Sequence, residues 1–275
     1  MSDRIVTVAC GQIQPVFGET IVNIHKMIEL IKAYKPDLMV FPELATSGYD
    51  IPNRAIAKGL AFDVQSSVEM FKLKQCAQEN GTYVAFGFPE SSGDKLYNSS
   101  VLIEPNGKVH TYRKIHLFDR EKNLFDPGDI PLTVIDTEIG RLGMMICFDW
   151  VFPEVARTLA LKGAQVLIHP SNLVLQYCQK AMYARSVENG VFSITCNRVG
   201  SETQTDRTLT FTGASQILSN RGEIIAQAGT RDEQVIKATI TPSLAENKML
   251  TKLNNIFDDR RVEFYSQITA QPDNQ

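Results

Sequence analysis

Residues 142–154 read Leu-Gly-Met-Met-Ile-Cys-Phe-Asp-Trp-Val-Phe-Pro-Glu. Leu142 to Ile146 form a nearly continuous apolar run, which is typical of a strand buried on both faces. Pro153 suits the first position of a helix, because its missing N–H would have no partner there in any case. The stretch therefore predicts a buried strand, a turn and a helix in direct succession.

Cys147 lies at the point where this strand gives way to the turn. A side chain there leaves the carboxyl end of the sheet, where open α/β sheets keep their sites. The backbone N–H groups of a tight turn can bind a developing negative charge. The position favours a nucleophilic thiol, although free cysteine is also among the most buried residue types and Cys147 alone fits an ordinary core residue.

Strands and hairpins dominate the rest of the chain. Apolar runs predict strands at 5–13, 38–41 and 83–88, and Asn106-Gly107 indicates a hairpin between two more. A helical pattern over 64–79 is expected to turn Val68 and Phe71 inward. Because hairpins interrupt the βαβ rhythm, we expect an α/β fold of mixed sheets with helices outside them, in a single domain over residues 1–275.

Composition excludes several classes of function. The 275 residues carry a net charge of −3, which gives no electrostatic footprint for nucleic acid, and no apolar run is long enough to cross a membrane. The N-terminus is expected to be a first strand and not a signal peptide. Five scattered cysteines without a C-x-x-C pair indicate reduced thiols in a cytoplasmic protein, and the four histidines form no local metal cluster.

Three short sequence motifs each place a reactive side chain just after a predicted strand. Residues 40–44 contain Glu43, residues 112–117 contain Lys114, and residues 146–149 contain Cys147. A carboxylate can take the thiol proton, the thiolate can attack carbon, and an ammonium group can stabilise the resulting oxyanion. Taken singly, Glu43 also fits a surface carboxylate and Lys114 a solvated hairpin end.

These motifs resemble the nitrilase superfamily of carbon–nitrogen hydrolases, and the resemblance covers nearly the whole chain. The matching motifs are Phe41-Pro42-Glu43-Leu44 with Ser47-Gly48-Tyr49, Tyr112-Arg113-Lys114 with Leu117, Cys147-Phe148-Asp149 with Pro153-Glu154, His169-Pro170, Arg185 with Glu188-Asn189, Asn197-Arg198 with Gly200, and Phe211-Thr212-Gly213 with Ser215.

The resemblance implies roles for individual residues. Glu43 would be the general base, Lys114 the oxyanion-stabilising cation and Cys147 the nucleophile, with the Phe148 N–H as second oxyanion donor. Glu121 matches a second carboxylate of many members and would orient Lys114 and substrate or assist proton transfer. As an alternative, Glu121 is a plain loop carboxylate. A lysine between two carboxylates should stay protonated, and its field should favour the thiolate.

Tyr49, Trp150 and Asn172 lie next to matching positions and are candidates for the substrate pocket, together with Phe148. Trp150 fits a core residue equally well. The resemblance implies no cofactor and no metal, and a small-molecule amide or nitrile as substrate.

The family fold implied by the resemblance is a four-layer α-β-β-α sandwich with two mixed sheets. Its members pair through outer helices, so we expect a homodimer or higher homo-oligomer through the helix after Pro153 and the helix at 177–189. The tail, about 250–275, is expected either to contact the partner subunit through Ile256 and Phe257 or to pack on its own subunit.

Four functions remain open at this point. The first is hydrolysis of small linear amides, of the ω-amide or N-carbamoyl type, and the second is hydrolysis of nitriles by the same thiolate attack. A third is a cysteine hydrolase that uses His116 or His169 as base, although structural roles for both histidines fit better. The fourth is a catalytically silent interaction module.

Overall fold

The computed structural model describes residues 4–270. In chain order, its strands are β1 (Val6–Gln12), β2 (Leu38–Val40), β3 (Tyr83–Ser92), β4 (Lys95–Ile103), β5 (Val109–Arg113), β6 (Val134–Thr137), β7 (Gly140–Met144), β8 (Val166–Pro170), β9 (Phe192–Cys196), β10 (Ser201–Glu202), β11 (Leu209–Thr210), β12 (Gln216–Leu218), β13 (Ile224–Gln227) and β14 (Gln234–Ile240). The α-helices are α1 (Thr20–Tyr34), α2 (Arg54–Leu60), α3 (Val68–Asn80), α4 (Glu121–Leu124), α5 (Pro153–Leu161) and α6 (Cys178–Asn189). Short 3-10 helices cover Cys147–Val151, Pro242–Glu246, Val262–Phe264 and Ser266–Ile268.

Two six-stranded mixed sheets make up most of the fold. The first has the order β14-β1-β2-β3-β4-β5, with β1, β2 and β3 parallel and the remaining pairs antiparallel. The second has the order β13-β12-β9-β8-β7-β6, with β7, β8 and β9 parallel. Each sheet thus has a parallel centre and antiparallel edges, which agrees with the expected interruption of βαβ units by hairpins.

Side chains alternate between the two faces of each strand, so each sheet contributes to a different core on each face. In β1, Val8 and Cys10 enter a core that the two sheets share, while Ala9 faces a second core beneath α1 and α3. Helices α5 and α6 contribute to the core on the far face of the second sheet. The predicted four-layer α-β-β-α sandwich is confirmed.

The predicted orientation of α3 is wrong. Val68 and Phe71 are 63% and 66% exposed, whereas Met70, Leu73 and Ala77 are buried. The buried residues recur at spacings of three and four, so they define the inward stripe, and Val68 and Phe71 lie outside it. The helix also begins at Val68, after Ser67, whose side chain accepts the Met70 N–H.

Several loops that carry candidate site residues begin at the same edge of the fold. Glu43 follows β2, Cys147 follows β7 and Asn172 follows β8, which are all parallel strands at the centre of their sheets. Lys114 follows β5 directly. Within residues 4–270, no helix is both long and apolar enough to cross a membrane.

Candidate active site

Lys114 lies at the centre of a buried cluster of charges. Its Nζ donates hydrogen bonds to Glu43 Oε1 at 2.6 Å and to Glu121 Oε1 at 2.7 Å. All three residues are buried, so the surface alternatives for Glu43, Lys114 and Glu121 do not apply. Burial alone would lower the pKa of Lys114, but the charges of Glu121 and Glu43 outweigh it and raise the pKa. Lys114 is therefore an ammonium group, as expected.

The two carboxylates differ in their hydrogen-bond partners. Glu43 Oε1 accepts from Lys114 and from Asn98 Nδ2 at 2.8 Å, but Glu43 Oε2 is buried and accepts no bond from the described residues. Glu121 Oε1 accepts from Lys114 and from the Tyr49 hydroxyl at 2.7 Å, and its Oε2 accepts the Phe118 N–H at 3.1 Å. Burial raises the pKa of Glu43 against the opposing charge of Lys114. Only Glu43 thus has an oxygen left without a donor.

The Cys147 thiol lies close enough to this cluster for its charges to act on it. Burial raises the pKa of Cys147 well above the usual thiol range, the charge of Glu43 raises it further, and Lys114 lowers it. The expected influence of Lys114 on the Cys147 pKa is present, but burial and the charge of Glu43 outweigh it. In the resting site Cys147 is a neutral thiol that needs a base to become nucleophilic.

Cys147 occupies a sharp turn that its neighbours keep in shape. Its φ of +39° lies in the left-handed region, which is costly for a residue with a side chain. The Asp149 carboxylate accepts the Ile146 N–H at 2.8 Å, and the Asp149 N–H donates to the Ile146 carbonyl at 3.0 Å. Phe148 lies in the first turn of the 3-10 helix, where backbone N–H groups have no partner inside the helix. The predicted role of the Phe148 N–H as an oxyanion donor is compatible with this position and stays a prediction.

Both histidines near the turn contact other groups than the thiol. His169 Nε2 lies 2.9 Å from the Cys147 carbonyl oxygen, and burial lowers the pKa of His169 to about 4. His169 is therefore neutral and donates this N–H to the carbonyl. His116 Nδ1 lies 2.8 Å from Asp149 Oδ1, and its ring stacks on Phe152. The geometry opposes the hypothesis of a histidine base and agrees with structural roles.

The candidate pocket residues divide into two groups. Phe148, Trp150 and Asn172 line a narrow cavity beside Cys147, whose volume of about 20 Å³ holds roughly one water-sized group. Trp150 also packs against the main core, so it is both a core residue and a residue of the cavity wall. Tyr49 does not line this cavity; its side chain is buried and bonded to Glu121.

The segment that carries Tyr49 is fixed by a buried ion pair. Arg198 Nη1 lies 2.5 Å from Glu202 Oε1, and both side chains are almost fully buried. Glu202 Oε2 accepts the N–H groups of Tyr49 at 2.9 Å and Asp50 at 2.6 Å. The Arg198 guanidinium group also lies 4.0 Å from the centre of the Phe211 ring. Sequence reasoning matched Arg198 to a motif but did not find this contact.

Asn98 was missed altogether, although the sequence contains a signal for it. It lies in β4 within a strand that is buried from Leu96 to Ile103, where a polar amide needs a partner. That partner is Glu43. Among the described residues, no group of three or more His, Cys, Asp and Glu side chains is arranged to hold a metal ion.

Comparisons with known proteins agree with this architecture. The family model described as carbon-nitrogen hydrolase matches residues 7–248. A protein of Pyrococcus abyssi named nitrilase is 43% identical over 264 residues, which cover 95% of this chain and 99% of the relative. An (R)-stereoselective amidase of a Pseudomonas species is 32% identical, with coverage of 93% and 92%. The crystal structure of a carbon-nitrogen hydrolase from Helicobacter pylori G27 superposes with a TM-score of 0.84 at 26% identity, over 97% of this chain and 99% of that one.

Proposed function

The chain belongs to the carbon–nitrogen hydrolase family, and on that premise we propose that it hydrolyses small linear amides, of the ω-amide or N-carbamoyl type, to an acid and ammonia. The reaction would pass through a thioester on Cys147. One observation supports this most directly: a buried ammonium group bridges two buried carboxylates beside a buried thiol.

In the acylation step, Glu43 takes the proton of the Cys147 thiol and the sulfur attacks the amide carbon. The Sγ–C bond forms, and the carbonyl oxygen becomes an oxyanion that Lys114 and the Phe148 N–H stabilise. Glu43 then gives its proton to the nitrogen, the C–N bond breaks and ammonia leaves. The raised pKa of Glu43 suits a group that must both take and return a proton.

In the deacylation step, water replaces ammonia at the same place. Glu43 takes a proton from the water as its oxygen attacks the thioester carbon, and the C–Sγ bond breaks. The proton on Glu43 returns to the Cys147 sulfur. The sum is one amide and one water converted to one acid and one ammonia, with the enzyme restored.

Hydrolysis of nitriles is the second candidate, because the 43% identical relative is named a nitrilase. A nitrile would undergo the same attack by Cys147 and would form a thioimidate before ammonia leaves. The catalytic side chains serve both reactions, so substrate comparison must distinguish them. If kcat/KM is consistently higher for nitriles than for amides of equal chain length, the nitrile reaction replaces the amide reaction.

The test is a screen of amides, carbamoyl compounds and nitriles scored by ammonia release, with hydroxylamine as a trap. We expect hydroxylamine to divert acyl groups to hydroxamate, and strong chelators to leave the rate unchanged. Cys147→Ala should abolish turnover. The matched control is Cys178→Ala, because Cys178 is equally buried but lies at the start of α6. Turnover by a contaminant-free Cys147→Ala preparation would overturn the proposal.

A further inference from the structure

Two asparagines hold the proposed base from different sides. Asn98 Nδ2 donates to Glu43 Oε1 at 2.8 Å, and Asn172 Nδ2 donates to the Glu43 backbone oxygen at 2.8 Å. Carboxylate and carbonyl oxygens only accept hydrogen bonds, so these contacts decide which end of each amide is the NH₂ group. The Oδ1 atom of each asparagine is therefore directed away from Glu43.

Acceptor atoms without donors are concentrated in this cluster. Within residues 4–270, four carboxyl or amide side-chain oxygens are buried without a hydrogen bond, namely Glu43 Oε2, Asn98 Oδ1, Asn172 Oδ1 and Asn189 Oδ1. Three of the four belong to Glu43 and the two asparagines bonded to it. Buried acceptors are normally satisfied, so three such atoms around one residue need an explanation. A bound ligand that donates N–H groups to these oxygens would explain them.

Building on the proposed function, we propose that Glu43, Asn98 and Asn172 form a receptor for the NH₂ group of a primary amide or carbamoyl substrate, and that Asn98 is a residue that determines this specificity. An NH₂ group offers two donors, and the cluster offers only acceptors. Asn172 lines the cavity beside Cys147, and Asn98 is bonded to the carboxylate that would take the Cys147 proton, so both asparagines lie next to the proposed reaction. A nitrile nitrogen and an ester oxygen carry no hydrogen and cannot use these acceptors.

The receptor would act on the same step as Glu43. When the Sγ–C bond forms, the nitrogen lone pair is freed from conjugation with the carbonyl group. Hydrogen bonds from the two N–H groups to asparagine oxygens would turn that lone pair toward the protonated Glu43. Glu43 then transfers to nitrogen the proton that it took from Cys147, the C–N bond breaks and ammonia leaves. Atoms and charges balance without a further reactant.

The test compares a primary amide with the methyl ester of the same acid, because both give the same thioester on Cys147. Loss of Glu43 positioning should slow both substrates, whereas loss of an N–H acceptor should slow only the amide. We expect Asn98→Ala and Asn172→Ala each to lower the ratio of kcat/KM for amide to kcat/KM for ester by about tenfold or more, since sites that hydrogen-bond a substrate N–H discriminate strongly.

Asn189→Ala is the matched control. Asn189 is also buried, donates through Nδ2 to a backbone carbonyl, and has an Oδ1 without a donor, but it lies at the end of α6. Its replacement should leave the amide-to-ester ratio unchanged. An unchanged ratio in folded Asn98→Ala and Asn172→Ala proteins would overturn the inference. If the wild-type protein forms neither ammonia nor hydroxamate, the proposed function fails instead.

A binding measurement covers the case in which the asparagine variants do not fold. Cys147→Ala protein, which retains all three residues, is titrated with the amide and with the matched methyl ester. Amide binding at least about tenfold tighter than ester binding is expected. Equal dissociation constants would overturn the inference, whatever the fate of the variants.

Discussion

At the residue scale, the two carboxylates beside Lys114 are suited to different tasks. Glu121 accepts bonds from Lys114, the Tyr49 hydroxyl and the Phe118 N–H, whereas Glu43 has one oxygen without a donor and a raised pKa. A carboxylate that must carry a proton needs a free oxygen, and one that must orient neighbours needs firm contacts. We therefore propose proton transfer for Glu43 and positioning for Glu121, a choice that the sequence left open.

The pH dependence of the reaction should reflect Glu43. Burial raises its pKa, and protonated Glu43 cannot accept the Cys147 proton, so activity must fall as the pH drops through that raised value. We expect the acid limb of kcat/KM against pH to lie above the usual glutamic acid range of about 4.3. Glu43→Gln should lower kcat by roughly 100- to 10,000-fold. A folded Glu43→Gln protein with near-normal kcat would refute the role of Glu43.

Tyr49 should support the reaction without touching the bond that breaks. Tyr49→Phe removes one donor to Glu121 and leaves the ring, so we expect kcat to fall about tenfold with little change in KM. Tyr97→Phe is the control, because it removes a hydroxyl bonded to a different carboxylate, that of Asp129. If the two variants lose kcat equally, or if only KM changes for Tyr49→Phe, Tyr49 does not act through Glu121.

At the element scale, glycines let the backbone approach the loops that carry Glu43 and Lys114. A Cβ on Gly87 in β3 would lie 2.5 Å from Glu43 Cα, and the Gly87 N–H donates to the Pro42 carbonyl at 2.9 Å. A Cβ on Gly128 would lie 2.9 Å from the Lys114 carbonyl oxygen, which accepts the Gly128 N–H. Both catalytic candidates thus depend on close backbone contacts that a methyl group would prevent.

Gly87→Ala should therefore impair the site through the backbone alone. The new methyl group meets main-chain atoms that cannot move aside, so Glu43 must shift, and displacement of a base by about 1 Å can cost on the order of 100-fold in rate. Gly59→Ala in α2 is the control, because nothing lies within 4 Å of its Cβ and alanine favours helix. Thermal melts and kcat are the measurements, and normal kcat with Gly87→Ala would contradict the expected tight contact.

At the scale of the whole molecule, the sequence predicted those features that depend on residues close together in the chain. The strand–turn–helix at Cys147 and the hairpin at Asn106-Gly107 follow from turn chemistry and apolar runs, and both are present. The predicted orientation of Phe71 was wrong, because α3 has apolar residues on both faces and only the packing decides which face is buried. Asn98 was missed because its contact with Glu43 joins residues 55 positions apart in the chain. Such contacts depend on topology, which a single motif does not contain.

Phe257, in the C-terminal tail, contacts two cationic side chains of its own chain. Phe257 lies between Arg157 of α5 and Lys248, with its ring centre 5.5 Å from the Arg157 guanidinium carbon and 5.0 Å from Lys248 Nζ. Lys248 Nζ also donates to the carbonyls of Asn189 and Gly190 at the end of α6. These contacts make Phe257 part of the surface formed by α5 and α6. A contact of Ile256 and Phe257 with a partner subunit stays a prediction.

Association through that surface remains our prediction for the assembly. Tyr183 of α6 is 55% exposed and Leu161 of α5 is 44% exposed, so apolar area is available on this outer layer. We expect light scattering to give the mass of two chains, and Tyr183→Glu to shift the protein toward one chain because a charge would be buried unpaired at the interface. Phe71→Glu is the control, since Phe71 is 66% exposed on the opposite outer layer. Dissociation by Phe71→Glu but not by Tyr183→Glu would move the interface to α3, and a single-chain mass for the wild-type protein would exclude the dimer.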